Sequence, residues 1–265
     1  MARRNLKDAR IIVTGASSGI GRSLAIQLCL RGAHVLATAR RAARLRELLE
    51  ICKSTPGRLF IIEGDLTIEQ HRLDILHQAT TQWNAIDVLI NNAGAGAIGR
   101  FDVATSDRLR RVMEIDFFAP VELTRLCLPL LEKGRRPAIL NIGSVLSHRA
   151  VPNKSEYCAA KFAMRGWAES LRVELATQGI EVLMLSPSTT RSEFLDALLD
   201  TKSSEKSNSV GSMPPERVAH FAISALVRSK REMVLSLGGK CLVWAGRLFP
   251  RLTDRILARF AQSTN

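Results

Sequence analysis

Three polar residues in the middle of the chain have the types and the spacing of an acid–base centre. Tyr157 and Lys161 are four residues apart, so on a helix they share one face. Ser144 precedes Tyr157 by thirteen residues and follows a short apolar run, so the fold could bring its hydroxyl beside the phenol. Tyr157 is also the only tyrosine in the chain. We therefore take these three as candidate catalytic residues, in preference to a core aromatic beside a solvated lysine.

These residue types suit the exchange of a proton with a carbonyl compound or an alcohol. An unperturbed phenol has a pKa of about 10, which is too high for easy ionisation at neutral pH. A neighbouring ammonium group, such as that of Lys161, stabilises the phenolate and lowers that pKa. A hydroxyl group, such as that of Ser144, can polarise and orient a substrate carbonyl. The expected chemistry is therefore protonation of the alkoxide that forms when a carbonyl accepts a hydride.

A glycine-rich loop near the start of the chain has the features of a phosphate site. The sequence TGASSGIG at Thr14–Gly21 lies between an apolar strand pattern and a helix pattern. Its glycines permit a tight turn, and the free N–H groups at the start of the helix can bind a pyrophosphate. This context favours a dinucleotide site over an ordinary turn. The candidate cofactor residues here are Gly15, Ser17, Ser18, Gly19, Ile20 and Gly21.

Seven short apolar runs alternate with longer amphipathic segments. The runs show no polar alternation, as expected for strands that are covered on both faces. The order predicts an α/β fold, with a single doubly wound, Rossmann-type parallel sheet and helices on both faces. The predicted strands are 10–14, 34–39, 59–63, 87–91, 138–142, 181–186 and 232–236, and the predicted helical segments are 20–30, 42–53, 68–83, 105–133, 154–177 and 214–228.

The pattern indicates one domain with an appendage. Residues 1–237 contain the complete strand–helix alternation, and 238–265 form a C-terminal amphipathic segment that is not an independent domain. Two interpretations of this segment remain open. It could lie in a membrane interface through 238–261, or it could pack over the substrate pocket or on a second subunit, and the second is favoured. Its arginines are Arg247, Arg251, Arg255 and Arg259, beside Leu248, Leu252, Ile256 and Phe260.

The charge balance is strongly basic. The chain has 38 Lys and Arg residues against 25 Asp and Glu residues, which gives a formal net charge of +13. Such an excess of positive charge could bind a nucleic acid, an anionic membrane, a phosphorylated ligand or an acidic partner protein. The basic residues are dispersed and aromatic residues make up only 5% of the chain, so the stacking platforms of single-stranded nucleic-acid binders are missing. We expect no nucleic-acid partner.

Other classes of protein are disfavoured by simple patterns. The sequence has no 18-residue apolar run and no apolar core behind the charges of its first residues, so neither a membrane span nor a signal peptide is predicted. The five cysteines are scattered without a C-x-x-C pair, and the histidines lack metal-ligand spacing. We therefore expect no metal and a cytoplasmic location, with peripheral membrane association as the open alternative.

Together these motifs resemble the classical short-chain dehydrogenase/reductase family, over residues 8 to about 236. The spacing T-G-x-x-x-G-x-G is the family's form of the glycine loop, and Asn91–Gly94 is similar to its NNAG motif. Asp65 and Leu66 look like the acidic–apolar pair that lies against the adenine, and Pro187 stands in the place of a Pro-Gly motif. The resemblance implies an oxidoreductase that interconverts a carbonyl and a secondary alcohol with a nicotinamide dinucleotide.

The resemblance also implies specific contacts with that cofactor. The backbone at Thr190 and the hydroxyl of Ser192 would meet the nicotinamide carboxamide. The further cofactor residues that it implies are Asp65, Leu66, Asn92, Ala93, Gly94, Tyr157, Lys161 and Pro187.

Two positions depart from the family pattern. Asp116 stands where the fourth catalytic residue is usually Asn. It could preserve a water relay from Lys161, attract the lysine charge and alter the titration of Tyr157, or only fix a local helix distortion. Ser188 replaces the glycine after Pro187, and it would be strained if that position requires a positive φ.

The end of the second predicted strand favours NADP(H) over NAD(H). NAD-preferring sites place an acidic residue there, whereas this strand ends in Thr38-Ala39-Arg40-Arg41. A guanidinium group suits a 2′-phosphate, with Arg40 as the principal partner and Arg41 second. The alternative is that both arginines begin a solvated helix.

The sequence therefore favours an NADP(H)-dependent oxidoreductase that acts on an apolar carbonyl or alcohol, with Tyr157 as acid/base. The alternatives are a reductase of the 3-oxoacyl-acyl-carrier-protein type and a non-catalytic nucleotide-sensing protein on the same fold. The family resemblance further implies a homodimer or homotetramer formed through the helices at 105–133 and 154–177.

Overall fold

The protein forms a seven-stranded parallel sheet in the order β3-β2-β1-β4-β5-β6-β7. It is a computed structural model, and it describes residues 3–190 and 212–262. Helices cover both faces of the sheet, so the predicted doubly wound α/β fold is confirmed. The strands are β1 (Arg10–Thr14), β2 (His34–Ala39), β3 (Arg58–Glu63), β4 (Val88–Asn91), β5 (Ala138–Ile142), β6 (Glu181–Ser186) and β7 (Glu232–Val234).

The helices follow the predicted amphipathic segments, with one segment divided. The predicted helix at 105–133 consists of two helices joined by a π-helical turn, Glu114–Phe118. In the part of the chain that the structure describes, the α-helices are α1 (Gly19–Cys29), α2 (Ala42–Cys52), α3 (Glu69–Trp83), α4 (Ser106–Met113), α5 (Ala119–Leu131), α6 (Ser155–Glu174), α7 (Pro215–Val227), α8 (Leu237–Leu248) and α9 (Pro250–Gln262).

Alternate residues of the strands build two hydrophobic cores. Ile11 and Val13 of β1 pack with α1, α2 and α7 on one face, and Ile12 packs with α3, α5 and α6 on the other. This division follows from the two-residue period of a strand. Each fully buried aliphatic side chain contributes roughly 1.5–3 kcal/mol relative to an exposed one. The sheet is therefore a rigid base for the loops at its carboxyl edge.

The last strand is shorter than predicted. The sequence predicts strand through residue 236, but β7 ends at Val234. Ser236 has φ +68° and its hydroxyl accepts a hydrogen bond from the Gly239 N–H at 3.0 Å, so it begins α8 instead. Helices α8 and α9 form the predicted appendage, and within the described ranges no helix is long and apolar enough to cross a membrane.

A buried ion pair connects α4 to the first turn of α6. Arg108 donates to Glu156 Oε1 from Nε at 2.9 Å and from Nη2 at 2.7 Å, and both side chains are only 3% exposed. Ser155 donates a further hydrogen bond to Glu156 at 2.8 Å. Buried charges need such partners because they have lost their water. The pair fixes the start of α6, directly beside Tyr157.

Candidate active site

The glycine loop joins β1 to α1 in a conformation that its glycines permit. Gly15 has φ +67° and Gly19 has φ +53°, backbone angles that residues with a side chain rarely adopt. A Cβ atom on Gly21 would lie 2.3 Å from the carbonyl oxygen of Gly15, so helix α1 could not approach the loop this closely with a larger residue. The loop therefore brings its own backbone and the start of α1 to the carboxyl edge of the sheet.

Two neighbouring loops are held together where the strand order reverses. Thr14 Oγ1 accepts hydrogen bonds from the N–H groups of Asn92 and Ala93, each at 3.0 Å. The Asn92 side chain also donates to Thr14, from Nδ2 to the carbonyl oxygen at 2.9 Å. Because β1 lies between β2 and β4, this is the topological switch point at which open α/β sheets bind ligands.

One large cavity runs along this edge from the glycine loop to the candidate catalytic residues. Its volume is about 860 Å³. Among the described residues, it is lined by every predicted cofactor residue except Gly21, which packs behind the loop. Ser192 lies outside the described residues. Ser144, Tyr157 and Lys161 line the other end. The structure thus brings both sets of predicted residues into one site.

The catalytic candidates are in mutual contact. Lys161 Nζ lies 5.4 Å from the centre of the Tyr157 ring, and a hydrogen bond joins the Ser144 and Tyr157 side chains. Ser144 is positioned by a short helical turn, in which its Oγ accepts from the Leu146 N–H at 3.1 Å and its N–H donates to Ser147 Oγ at 3.2 Å. The arrangement can deliver a proton from the phenol to an oxygen that is held by Ser144.

Asp116 contacts Lys161 directly. Lys161 Nζ donates to Asp116 Oδ1 at 2.9 Å, and the same oxygen accepts from the Ala95 N–H at 3.3 Å. Asp116 lies in the π-helical turn, so the helix distortion and the lysine contact, which the sequence left as alternatives, occur together. Gly94 leaves the space for this contact, since a Cβ atom there would lie 2.4 Å from Asp116 Oδ1. Asp116 does not line the cavity, and it acts on the site through Lys161.

The ion pair sets the electrostatics of the phenol. Burial alone lowers the pKa of Lys161, but the Asp116 carboxylate raises it above its usual range, so the lysine stays charged. Burial raises the pKa of Tyr157, the Lys161 ammonium lowers it in part, and the Asp116 carboxylate raises it again. Asp116 thus offsets some of the charge that would stabilise a phenolate. The net direction for Tyr157 is upward, so its protonated form is favoured.

Ser188 is not strained. The non-glycine residues with positive φ in the described part of the chain are Asp8, Asn84, Arg136, Asn153, Ser229 and Ser236, so Ser188 has none of the left-handed strain that a glycine position would impose. The Pro187 carbonyl accepts a hydrogen bond from the Val145 N–H at 2.9 Å, which connects this loop to the one that carries Ser144.

The two arginines after β2 occupy different positions. Arg41 Nη2 donates to Ser17 Oγ at 3.1 Å and to Ser18 Oγ at 2.6 Å, so its guanidinium lies against the glycine loop. Arg40 is 71% exposed and lies 3.8 Å from Asp65. The contacts therefore favour Arg41 as the more firmly positioned of the two, whereas the sequence ranks Arg40 first.

The substrate end of the cavity includes residues that the motifs do not identify. Lys154, one turn before Tyr157, lines it, and burial lowers the pKa of this lysine. Gly239 and Leu242 of α8 form another part of the wall. The charge at Lys154 was visible in the sequence but matched no motif, and the position of α8 depends on tertiary packing. Within the described residues, no cluster of three His, Cys, Asp or Glu side chains could hold a metal ion.

Comparisons with known proteins agree with this fold. The profile described as short chain dehydrogenase matches residues 9–203. The chain is 32% identical over 262 residues to "Uncharacterized oxidoreductase YxnA" of Bacillus subtilis, covering 97% of this chain and 73% of that protein. It is 31% identical over 186 residues to a "3-ketodihydrosphingosine reductase" of Bacteroides thetaiotaomicron, covering 70% of this chain and 65% of that protein.

A similar solved structure is a short-chain dehydrogenase from Streptomyces avermitilis, with a TM-score of 0.80 and 26% identity, covering 98% of this chain and 99% of that one. A second similar structure is a short-chain dehydrogenase/reductase from Burkholderia phymatum in complex with NAD. Its TM-score is 0.85 at 17% identity, and the alignment covers 94% of this chain and 96% of that one. At this identity it supports the fold alone. The profile match extends from β1 past α6, and the Bacillus subtilis relative aligns with 97% of the chain, so the protein belongs to the short-chain dehydrogenase family.

Proposed function

We propose that the protein is an NADP(H)-dependent reductase that converts an apolar carbonyl compound into a secondary alcohol. The observation that carries the proposal is the contact of Tyr157 with Ser144 and Lys161 at one end of the cavity whose other end is the glycine loop. An acid, a carbonyl-orienting hydroxyl and a phosphate cradle in one cavity are the parts that hydride transfer to a carbonyl requires.

The residues of the cavity fit a nicotinamide dinucleotide. Gly15 and Gly19 line the cavity without a side chain, so the backbone of the loop can approach a pyrophosphate. The Ser18 hydroxyl accepts from Arg41 rather than capping α1, so the first N–H groups of the helix remain for a phosphate. Asp65 and Leu66 would hold the adenine end, and Asn92, Ala93 and Thr190 lie along the remainder of the cavity.

The preference for NADP(H) rests on the charges beside the loop. Arg41, supported by Ser17 and Ser18, presents a guanidinium next to the glycine loop, and Arg40 is available at the surface. Asp65 is the carboxylate near Arg40, and it lies at the end of β3 rather than at the end of β2, where a 2′-hydroxyl partner would be expected. A 2′-phosphate would supply the anion that these two arginines can bind.

Each catalytic residue then has a defined task. The bound nicotinamide would supply the hydride to the carbonyl carbon. Ser144 orients the carbonyl oxygen by a hydrogen bond, and Tyr157 donates its phenolic proton to that oxygen as negative charge develops there. Lys161 stabilises the phenolate that remains, and Asp116 holds the Lys161 ammonium in place.

The electrostatics of Tyr157 favour the form of the phenol that carbonyl reduction needs. A reductase needs the phenol in its protonated form, whereas alcohol oxidation needs the phenolate. Burial and the Asp116 carboxylate both raise the pKa of Tyr157, so proton donation is favoured at neutral pH. Carbonyl reduction is therefore the direction for which this site is better prepared.

The class of substrate follows from the wall beyond Tyr157. Ala97, Ile98, Val145 and Leu242 give it a mainly apolar lining. Lys154 adds one cation that could meet a polar group of the substrate. The similarity to a protein named 3-ketodihydrosphingosine reductase supports a lipid-like carbonyl compound, since a 3-keto group on a long apolar chain fits this lining.

The proposal is tested by measuring NADPH and NADH oxidation with a panel of apolar ketones, from short alkanones to long-chain 3-keto lipids. We expect turnover that depends on the carbonyl compound, is faster with NADPH and increases with apolar chain length. A protein that binds NADPH but oxidises it with no member of the panel, within a range that covers these chain lengths, would instead support the nucleotide-sensing alternative.

The Asp116→Asn variant should change the pH dependence of reduction. Reduction is lost as pH rises through the pKa of Tyr157, and the carboxylate raises that pKa. Its removal should therefore move the alkaline limb of the kcat profile to lower pH, by about one unit. The measurement is kcat for ketone reduction against pH. An unchanged limb would show that Asp116 does not act on the phenol, and Glu122→Gln on α5, a carboxylate that does not line the cavity, is the matched control.

A further inference from the structure

An exposed apolar stripe extends along the outer side of the two C-terminal helices. Large apolar side chains on monomer surfaces normally occur singly, so a contiguous row of them indicates a binding surface. The stripe consists of Trp244, Leu248, Phe249, Leu252 and Ile256, whose exposed fractions are 58%, 63%, 61%, 55% and 45%. We call these five residues the tail stripe.

Cations border the tail stripe. Three arginines directly precede a residue of the tail stripe: Arg247, Arg251 and Arg255. A fourth, Arg259, follows the last stripe residue by three positions, and all four are exposed. Arg251, Arg255 and Arg259 are separated by single turns of α9, so they form a second row beside Leu252 and Ile256, and Arg247 lies in the last turn of α8. The acidic residue within α8 and α9 is Asp254, and it is paired with Arg149. The surface is thus apolar along its centre and positively charged along its edge.

The inner side of these helices is fixed to the body of the protein. Val243 and Thr253 are buried, and Gly239 packs so closely on Val145 that a Cβ atom would lie 2.7 Å from its side chain. The Arg149–Asp254 ion pair attaches α9 to the loop after Ser144. The orientation of the tail stripe toward solvent is therefore set by packing on the opposite side.

We propose that the tail stripe docks the enzyme on an anionic lipid bilayer, with α8 and α9 lying in the plane of the interface. Interfacial helices combine an apolar face that enters the acyl boundary with basic residues that reach the lipid phosphates. With 12 and 13 residues, each helix is about 18–20 Å long, which is too short to cross a hydrocarbon core of roughly 30 Å. Trp244 at the border of the stripe suits the headgroup level.

A bilayer fits this surface better than a second copy of the chain. In a twofold dimer the same patch faces itself, so the arginine rows of both copies would be brought together. Like charges at an interface oppose association, and a chain with a net charge of +13 adds to that repulsion. An anionic membrane supplies the opposite charge along the whole row.

Docking in this orientation would place the reductase cavity next to the lipid. Helix α8 presents Trp244 and Leu248 outward and Gly239 and Leu242 to the cavity. A membrane-dissolved carbonyl compound could thus reach Tyr157 past one helix without crossing bulk water. This consequence rests on the proposed function, whereas the docking itself does not.

The test is co-sedimentation of the full chain with vesicles, without cofactor or substrate. One set of vesicles is phosphatidylcholine alone, and the other is equal parts phosphatidylcholine and phosphatidylglycerol. We expect binding to the anionic vesicles and at least a tenfold weaker affinity for the neutral ones. Trp244→Ser/Phe249→Ser should weaken anionic binding by roughly tenfold or more, and Arg251→Glu/Arg255→Glu by roughly 30-fold or more.

Matched controls separate docking from general effects of hydrophobicity and charge. Leu30→Ser removes a 56% exposed leucine at the end of α1, on the opposite edge of the sheet. Arg31→Glu/Arg46→Glu gives the same net charge as the tail double variant, but at exposed positions away from α8 and α9. Both controls, and Tyr157→Phe, should bind anionic vesicles like the wild type.

Three results would overturn the proposal. The first is no binding of the wild type to anionic vesicles, and the second is an equal loss of vesicle affinity in the tail variants and their controls. The third is a tail variant that changes the oligomeric state in solution while the wild type does not bind vesicles. The last would assign the tail stripe to a second copy of the chain. Because vesicle binding is measured without turnover, its failure leaves the reductase proposal standing, and an inactive enzyme can still bind vesicles.

Discussion

Replacing Tyr157 with phenylalanine is expected to lower kcat for ketone reduction by roughly 10²–10⁴-fold, the usual contribution of a positioned general acid. The change removes one hydroxyl and keeps the ring. The carbonyl oxygen that Ser144 orients then has no phenol beside it, and the developing alkoxide has no proton donor in contact with Lys161. Steady-state kinetics with a saturating ketone, together with fluorescence titration of NADPH, measures the effect.

Cofactor binding separates a catalytic role of Tyr157 from a structural one. The dissociation constant for NADPH should change by less than the loss in kcat, because most cofactor contacts lie at the glycine loop. Ser170→Ala, which removes an exposed hydroxyl from the same helix away from the cavity, should keep the activity of the wild type. Full turnover by Tyr157→Phe would exclude the phenol as the proton donor.

The second large effect is expected at the cofactor's 2′-phosphate. The Arg40→Ala/Arg41→Ala variant should lower kcat/KM for NADPH by roughly 100-fold and leave that for NADH nearly unchanged. A hydrogen bond to a charged group contributes about 1.5–3 kcal/mol, and the exposure of Arg40 reduces its share. The two single variants rank the arginines, and Arg41→Ala should have the larger effect because Ser17 and Ser18 hold Arg41 in place.

Arg46→Ala is the matched control for this pair. Arg46 is exposed on α2, the helix that directly follows Arg41, but does not line the cavity. Its removal should leave kcat/KM for both cofactors as in the wild type. An equal loss of kcat/KM with NADPH and with NADH in the double variant would mean that the arginines stabilise the loop and do not bind the 2′-phosphate.

Local sequence patterns predict the fold and most of the residues that the structure brings together in the cavity. The apolar runs around Ile12, Leu36 and Leu89 predict buried parallel strands, because those side chains must be covered on both faces of the sheet. The glycine loop and the i, i+4 pair of Tyr157 and Lys161 are also local. Since motifs at the ends of parallel strands meet at one edge, their convergence in one cavity follows from the order of the elements.

Contacts that depend on tertiary packing could not be predicted. The sequence left the attraction of Asp116 to Lys161 and a local helix distortion as alternatives, and no periodicity in 105–133 marks the π-helical turn in which both occur. Strain at Ser188 depended on whether its position requires a positive φ, which the sequence left open and which its backbone does not adopt. The contribution of Leu242 to the cavity depends on how α8 packs against the loop after Ser144, which its amphipathic pattern leaves open.

The central claim is that this cavity transfers a hydride to a carbonyl carbon while Tyr157 supplies the proton. The most direct measurement is the fate of deuterium from NADPH labelled at the transferable position of the nicotinamide, with a long-chain ketone as acceptor and mass spectrometry of the alcohol. The wild type should give an alcohol with one deuterium on the former carbonyl carbon, and Tyr157→Phe should give almost none. Consumption of NADPH without label in the alcohol would contradict the claim.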